Sequence, residues 1–135
     1  MAAKSSSPPG REQLYRANIL EHFKKPHNWG RLARADISHM ESNPVCGDEI
    51  GIELGLDTKG KIRSVGIYGS GCAISVASAS MLSDRLIGLT LAQAGRIDNK
   101  TVLSDLGIDP GPTRMRCALL VLEGLKKVAG KKTKA

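Results

Sequence analysis

Cys46 and Asp48 stand two residues apart in the stretch Asn43-Pro44-Val45-Cys46-Gly47-Asp48. Pro44 fixes one backbone torsion before the thiol, and Gly47 frees the backbone after it. In an extended segment, residues two apart point to one side. A soft sulfur and a hard oxygen are therefore expected to face a single ion. Two more thiols, Cys72 and Cys117, bring the chain to three cysteines. With Asp48 they make four ligands, the number a tetrahedral zinc site takes. No pair of them has the Cys-x-x-Cys spacing that makes a zinc ribbon recognisable. Spacing therefore leaves a metal site and a chance grouping equally open.

Each later thiol also has a plain account as a small buried hydrophobe. Cys72 follows Gly69-Ser70-Gly71 and opens a helical pattern. A helix N-terminus carries partial positive charge and free amide donors, which favour thiolate over thiol. Cys117 lies near the start of the last helical pattern, in Thr113-Arg114-Met115-Arg116-Cys117. Arg114 is one turn earlier on a similar face, where a guanidinium favours a nearby thiolate, persulfide or carboxylate. Arg116 reads as an ordinary solvated charge.

The elements that must carry these groups follow from periodicity. A helix is expected over 11–25, with Tyr15, Ile19, Leu20 and Phe23 as its apolar face, ended by Pro26 and Gly30. His22 and His27 read as surface histidines. A first strand is expected over Arg31–Met40. From Glu49, apolar Ile50, Ile52, Leu54 and Leu56 alternate with Gly51, Glu53, Gly55 and Asp57, the pattern of a strand with one buried and one wet face. Asp57-Thr58-Lys59-Gly60 is a turn, and Lys61–Tyr68 returns as the next strand. Ala73–Leu86 is a helix rich in small residues, suited to lying close on a sheet. Short helices are expected after Thr90 and over Thr101–Leu106, and a last one from Pro112 to about Val128. The fold class is therefore α+β: an antiparallel three-stranded sheet with helices packed on one face.

At 135 residues, with 41% hydrophobic content, the chain suits one domain with a proper core. Residues 1–10, rich in Ser and Pro, are expected to be a disordered tail, 11–129 the domain and 130–135 a basic tail. No stretch reaches the roughly 18 apolar residues of a membrane span. Residues 1–10 also lack a signal-peptide core. A cytoplasmic location is expected, where three cysteines serve as thiols or ligands rather than as a disulfide framework. The net charge of +7 is concentrated at Lys126, Lys127, Lys131, Lys132 and Lys134. That cluster reads as a solvated helix end or a docking patch for an acidic partner; no aromatic stacking surface or reading motif accompanies it to suggest nucleic acid.

Four motifs in order carry a resemblance to a known family. They are Tyr15–Gly30 (YRANILEHFKKPHNWG), Asn43–Asp48 (NPVCGD), Gly69–Ser80 (GSGCAISVASAS) and Arg114–Leu120 (RMRCALL). Together they resemble the U-type iron–sulfur cluster assembly proteins, comprising IscU, SufU and the N-terminal domain of NifU. The resemblance implies that Cys46, Asp48, Cys72 and Cys117 are the metal and cluster ligands at one exposed end of the fold. It implies a transient [2Fe–2S] cluster or Zn2+ as the bound species. It also implies a PLP-dependent cysteine desulfurase as sulfur donor, with downstream iron–sulfur carriers or apo-proteins as acceptors. Two features depart from the IscU pattern. Arg116 stands where IscU proteins have a histidine, and 109–115 (DPGPTRM) replaces the chaperone-recognition segment. Arg114 and Arg116 before Cys117 are instead similar to SufU, whereas the 45 positions from Cys72 to Cys117 match IscU spacing.

Three functions are in contention. One is a scaffold on which a labile cluster is built, as a monomer or a cluster-linked dimer. Another is a zinc-dependent sulfurtransferase in which Cys46 or Cys117 accepts persulfide sulfur, assisted by Arg114. The third is a structural zinc domain binding nucleic acid. Helices and meander supply a core without metal, which argues against the last. Whether the chain counts as an enzyme depends on which of the first two holds.

Overall fold

The computed structural model describes residues 11–45 and 47–130. Helix α1 (Arg11–Lys24) leads into three strands, β1 (Ile37–Asn43), β2 (Asp48–Leu56) and β3 (Ile62–Ser70). Helices α2 (Ala73–Leu86), α3 (Leu91–Gly95), α4 (Asn99–Leu106) and α5 (Gly111–Gly130) follow. The strands form one antiparallel sheet in the order β1-β2-β3. Helices α2 and α5 pack on one face of it, so the expected α+β architecture is the observed one.

Strand alternation sends Ile50, Ile52 and Leu54 of β2 and Val65 and Ile67 of β3 toward the helices, where each is at most 4% exposed. They meet Ala79, Leu82 and Leu86 of α2 and Leu122 and Leu125 of α5 in one apolar cluster. Fully burying a side chain of this size stabilises by about 1.5–3 kcal/mol, so the core stands without a metal. The small residues of α2 let it lie close to its neighbours. Its buried Ser78 hydroxyl donates to the Ala118 carbonyl of α5 at 2.5 Å, tying together the two helices that follow or contain Cys72 and Cys117.

The opposite face of β2 is not wet, contrary to the alternation reading. Glu53 is 3% exposed. Its carboxylate accepts from Arg31 at 2.6 and 3.0 Å and from the Leu32 backbone N–H at 2.8 Å. The Arg31 guanidinium lies 4.3 Å above the centre of the Tyr68 ring, and that ring covers Gly51, where a side chain would collide with it. Leu32 covers Gly66 in the same way. Residues expected to begin the first strand thus cross the back of the sheet, and β1 starts only at Ile37. Gly66 makes room for this crossing at the Gly30 carbonyl and Leu32, and a buried carboxylate gives it a partner.

Helix α1 also departs from its expected face. Ile19 is buried, but Leu20 and Phe23 are 52% and 42% exposed. Ile19 packs on Ile74, Ala77 and Met81 of α2, and polar contacts from His22 and the segment after the helix flank it. Ser80 Oγ lies 2.7 Å from His22 Nδ1 and accepts the His27 backbone N–H at 2.7 Å. His27 Nδ1 pairs with Asp84 at 2.6 Å, so neither histidine is an idle surface group. The shorter elements match their capping signals. Thr90 and Gln93 form a capping box on α3, and Asp98 caps α4 through the Thr101 N–H. Residues 1–10 and 131–135, read as tails, lie outside the described residues, as does Cys46.

Candidate metal centre

Asp48 reaches the site through the β1–β2 hairpin. Asn43 and Asp48 are register partners that close the ladder. The Asn43 carbonyl accepts the Gly47 N–H at 2.8 Å, and its side-chain oxygen accepts the Val45 N–H at 3.2 Å. Gly47 sits at φ +77°, a left-handed conformation that glycine takes without strain. The loop thereby reverses direction and returns Asp48 to the interior at 4% exposure. Cys46 belongs to this loop but lies outside the described residues. Its neighbour Val45 is 83% exposed.

Cys72 reaches the site from the end of β3. It is the N-cap of α2, with extended backbone and a carbonyl that accepts the Val76 N–H at 3.0 Å. Gly69 makes the exit from the strand possible. Its φ is +116°, and a side chain there would strike the Glu49 carbonyl. Cys72 is half-buried at the N-terminus of the helix.

Cys117 comes from the second turn of α5 and is 3% exposed. It packs with Ile74, Ala77 and Met81 of α2, Ile19 of α1 and Leu106 of α4. An inward sulfur on a helix shared by two apolar clusters is held in place by ordinary core packing.

The three residues converge. One carboxylate oxygen of Asp48 and the sulfurs of Cys72 and Cys117 all lie within 4.8 Å of one another. Tetrahedral zinc, with Zn–S near 2.3 Å and Zn–O near 2.0 Å, sets neighbouring ligand atoms about 3.5–3.8 Å apart. The observed spread is therefore small enough to close on one ion. Among the described residues, Asp48 Oδ2 is buried and has no hydrogen-bond partner. Such an orphan is costly in a protein interior, and a cation bound by the carboxylate and two thiolates would offset that cost. The donor set fits zinc, and its sulfurs suit iron in a sulfide cluster.

The other residues singled out in the sequence sit differently. Arg114 and Arg116 are both exposed on α5, beside Cys117 in sequence but on its solvent side. A cleft of about 480 Å³ between Tyr15 and the 103–115 region holds none of the three donors. Sequence reasoning passed over Ser75. It is 1% exposed, three residues after Cys72, and its hydroxyl donates to the Cys72 carbonyl at 3.0 Å. The available signal was a serine in the first turn of a helix that a cysteine caps.

The fold is shared with known proteins. The family model described as the NifU-like N-terminal domain matches residues 14–134. The iron–sulfur cluster assembly enzyme IscU of Drosophila melanogaster is 28% identical, over 84% of this chain and 74% of its own length. The chain spans 60–65% of the length of three fungal relatives. The zinc-dependent sulfurtransferase SufU of Bacillus subtilis is 31% identical, over 89% of this chain and 92% of its own. The crystal structure of a SUF-system cluster assembly scaffold from Fervidobacterium islandicum superposes with a TM-score of 0.67 at 25% identity, covering 89% of this chain and 99% of that one.

Proposed function

The chain belongs to the NifU-like N-terminal domain family, and from that footing we propose that it is an iron–sulfur cluster assembly scaffold. It receives sulfur from a cysteine desulfurase and holds a labile [2Fe–2S] cluster or a metal ion between Cys46, Asp48, Cys72 and Cys117. The observation that carries this reading is the convergence of Asp48, Cys72 and Cys117, with one oxygen of the buried Asp48 carboxylate lacking a partner among the described residues.

The cluster is cargo here, and the residues divide the work of holding and releasing it. Cys72 and Cys117 are presented by two helices pinned to each other through Ser78, so they form the fixed side of the site. Asp48 is a hard ligand beside soft ones, a poorer match for iron in a sulfide cluster. It is the ligand whose weakness lets the cargo leave. Pro44, Val45 and Gly47, which flank Cys46 in the chain, are exposed, which supports Cys46 as the thiol that meets the donor. For sulfur uptake its thiolate attacks the sulfane sulfur of the donor's persulfide. One S–S bond forms to Cys46, the donor's S–S bond breaks, and the donor cysteine leaves as thiolate.

A second reading is the zinc-dependent sulfurtransferase. It is favoured by Arg114 and Arg116 ahead of Cys117 and by the 31% identity to SufU. A bound zinc ion supplies the charge that keeps thiols deprotonated at neutral pH. Cys46 or Cys117 then accepts the sulfur, with Arg114 as auxiliary. The two readings separate when the protein is co-expressed with a cysteine desulfurase and purified without oxygen. Iron and acid-labile sulfide in equal, near-stoichiometric amounts identify the scaffold. One zinc per chain without sulfide, together with acceleration of the desulfurase, identifies the sulfurtransferase.

A further inference from the structure

We infer that Ser75 is a positioning residue for the Asp48 carboxylate, donating a hydrogen bond to it when the site holds a metal. The inference rests on the metal reading proposed above and names a residue outside the four ligands.

Three observations lead there. The Ser75 hydroxyl now donates to the Cys72 carbonyl at 3.0 Å. That carbonyl already accepts the Val76 N–H at 3.0 Å, so the serine bond duplicates one the helix has made. Asp48 Oδ2 meanwhile is buried and has no donor. The two groups border one small gap at Gly71. A methyl built on Gly71 would collide with Ser75 Oγ and come within 3.4 Å of Asp48 Cγ. A free acceptor and a donor with a redundant partner thus flank space that only a glycine leaves open. The inferred bond requires the Ser75 hydroxyl to turn from the Cys72 carbonyl toward the carboxylate.

The arrangement has a chemical use. A carboxylate that ligates through one oxygen is oriented by a hydrogen bond to the other, and such outer partners are worth about 10–100-fold in metal affinity. Ser75 sits one turn into α2, at 1% exposure, so it keeps its place whether or not the β1–β2 loop moves. It is a fixed post against which Asp48 is aligned with the sulfur of Cys72 on the same helix.

The test is zinc affinity, measured by competition with a chromogenic chelator on the full chain. The inference expects Ser75→Ala to bind zinc about tenfold more weakly than the wild type, with the melting temperature of the metal-free protein little changed. Ser75→Thr, which keeps the hydroxyl, is expected to recover most of the affinity. In an Asp48→Ala background, Ser75→Ala should cause no further loss, because the two act as a pair. An equal loss in that background overturns the inference, since the serine would then act through the fold. So does unchanged affinity in Ser75→Ala while Cys72→Ser abolishes binding, a result that leaves the metal site itself intact. A wild-type chain that binds no zinc overturns the metal reading and this inference with it. Gly71→Ala gives an independent check: its methyl wedges between hydroxyl and carboxylate, and affinity should fall similarly.

Discussion

Asn43 and Asp48 face each other across the last rung of the β1–β2 hairpin, and both are almost wholly buried, at 2% and 4% exposure. Asn43 uses its carbonyl and its side-chain oxygen to shape the loop between them. Asp48 keeps one oxygen without a protein partner. The hairpin therefore ends in one polar group that builds the turn and one that is left for a ligand.

Replacing Asp48 by Ala removes the hardest ligand from a site otherwise made of sulfur. A reconstituted cluster is expected to persist several-fold longer in Asp48→Ala than in the wild type. The decay of its visible absorbance after transfer to cluster-free buffer measures this. Faster decay in the variant would reverse the role assigned to the carboxylate.

Among the described residues, the larger core cluster contains no cysteine, and Cys117 and the half-buried Cys72 join the second cluster. Stripping metal with a chelator should leave the protein folded. The expected result is a helical circular dichroism spectrum and a cooperative thermal transition in the metal-free state, at a temperature lower than that of the loaded form. Loss of the transition would make the metal structural.

Gly69 joins β3 to the turn before Cys72 at φ +116°, with the Glu49 carbonyl against the place of a side chain. Gly69→Ala is expected to destabilise by about 1–3 kcal/mol and to displace Cys72. Urea denaturation and zinc affinity should both respond. The same change at Gly60, also at positive φ but with open space around it, should weaken stability alone.

Acidification should destabilise the fold in two stages. Burial and the neighbouring His27 hold the His22 pKa below its ordinary 6.5. The unfolded chain then binds a proton near pH 6.5 that the native state refuses, so stability present above that pH declines as pH falls below it. Burial alone would raise Glu53, but the Arg31 hydrogen bonds, the Leu32 N–H and the charge of Arg31 outweigh it and hold its pKa below the ordinary 4.5. Its stabilisation is present above that value and is lost as pH falls through the lower native one. Urea midpoints across pH 7.5 to 3 follow both stages. His22→Gln should flatten the first, and Glu53→Gln the second, with a loss at neutral pH of about 1.5–3 kcal/mol for the charged hydrogen bonds.

The amino-acid order was enough to place most elements, because their causes are local. Ala73–Leu86 was legible to the residue, and Thr90 as a cap and the alternation of Ile50, Ile52 and Leu54 were equally plain. The choice of Cys46, Asp48, Cys72 and Cys117 also came from the order of motifs and not from spacing. What the chain order left undecided was whether donors on separate elements meet. That depends on helix packing across the sheet, and the folded chain brings Asp48, Cys72 and Cys117 within 4.8 Å. The same dependence explains the misread regions. Glu53 alternates like a solvent-facing residue, yet it is buried because Arg31 and Leu32 arrive from 21–22 positions away. Leu20 and Phe23 have helical spacing, but α1 meets α2 through Ile19 and through the His22–Ser80 contact. Ser75 counts in sequence as one more small residue. The role inferred for it comes from the gap at Gly71 and the Asp48 oxygen across it that has no partner among the described residues. Periodicity records which face of an element is apolar, while contacts between distant elements decide which polar groups are enclosed with it.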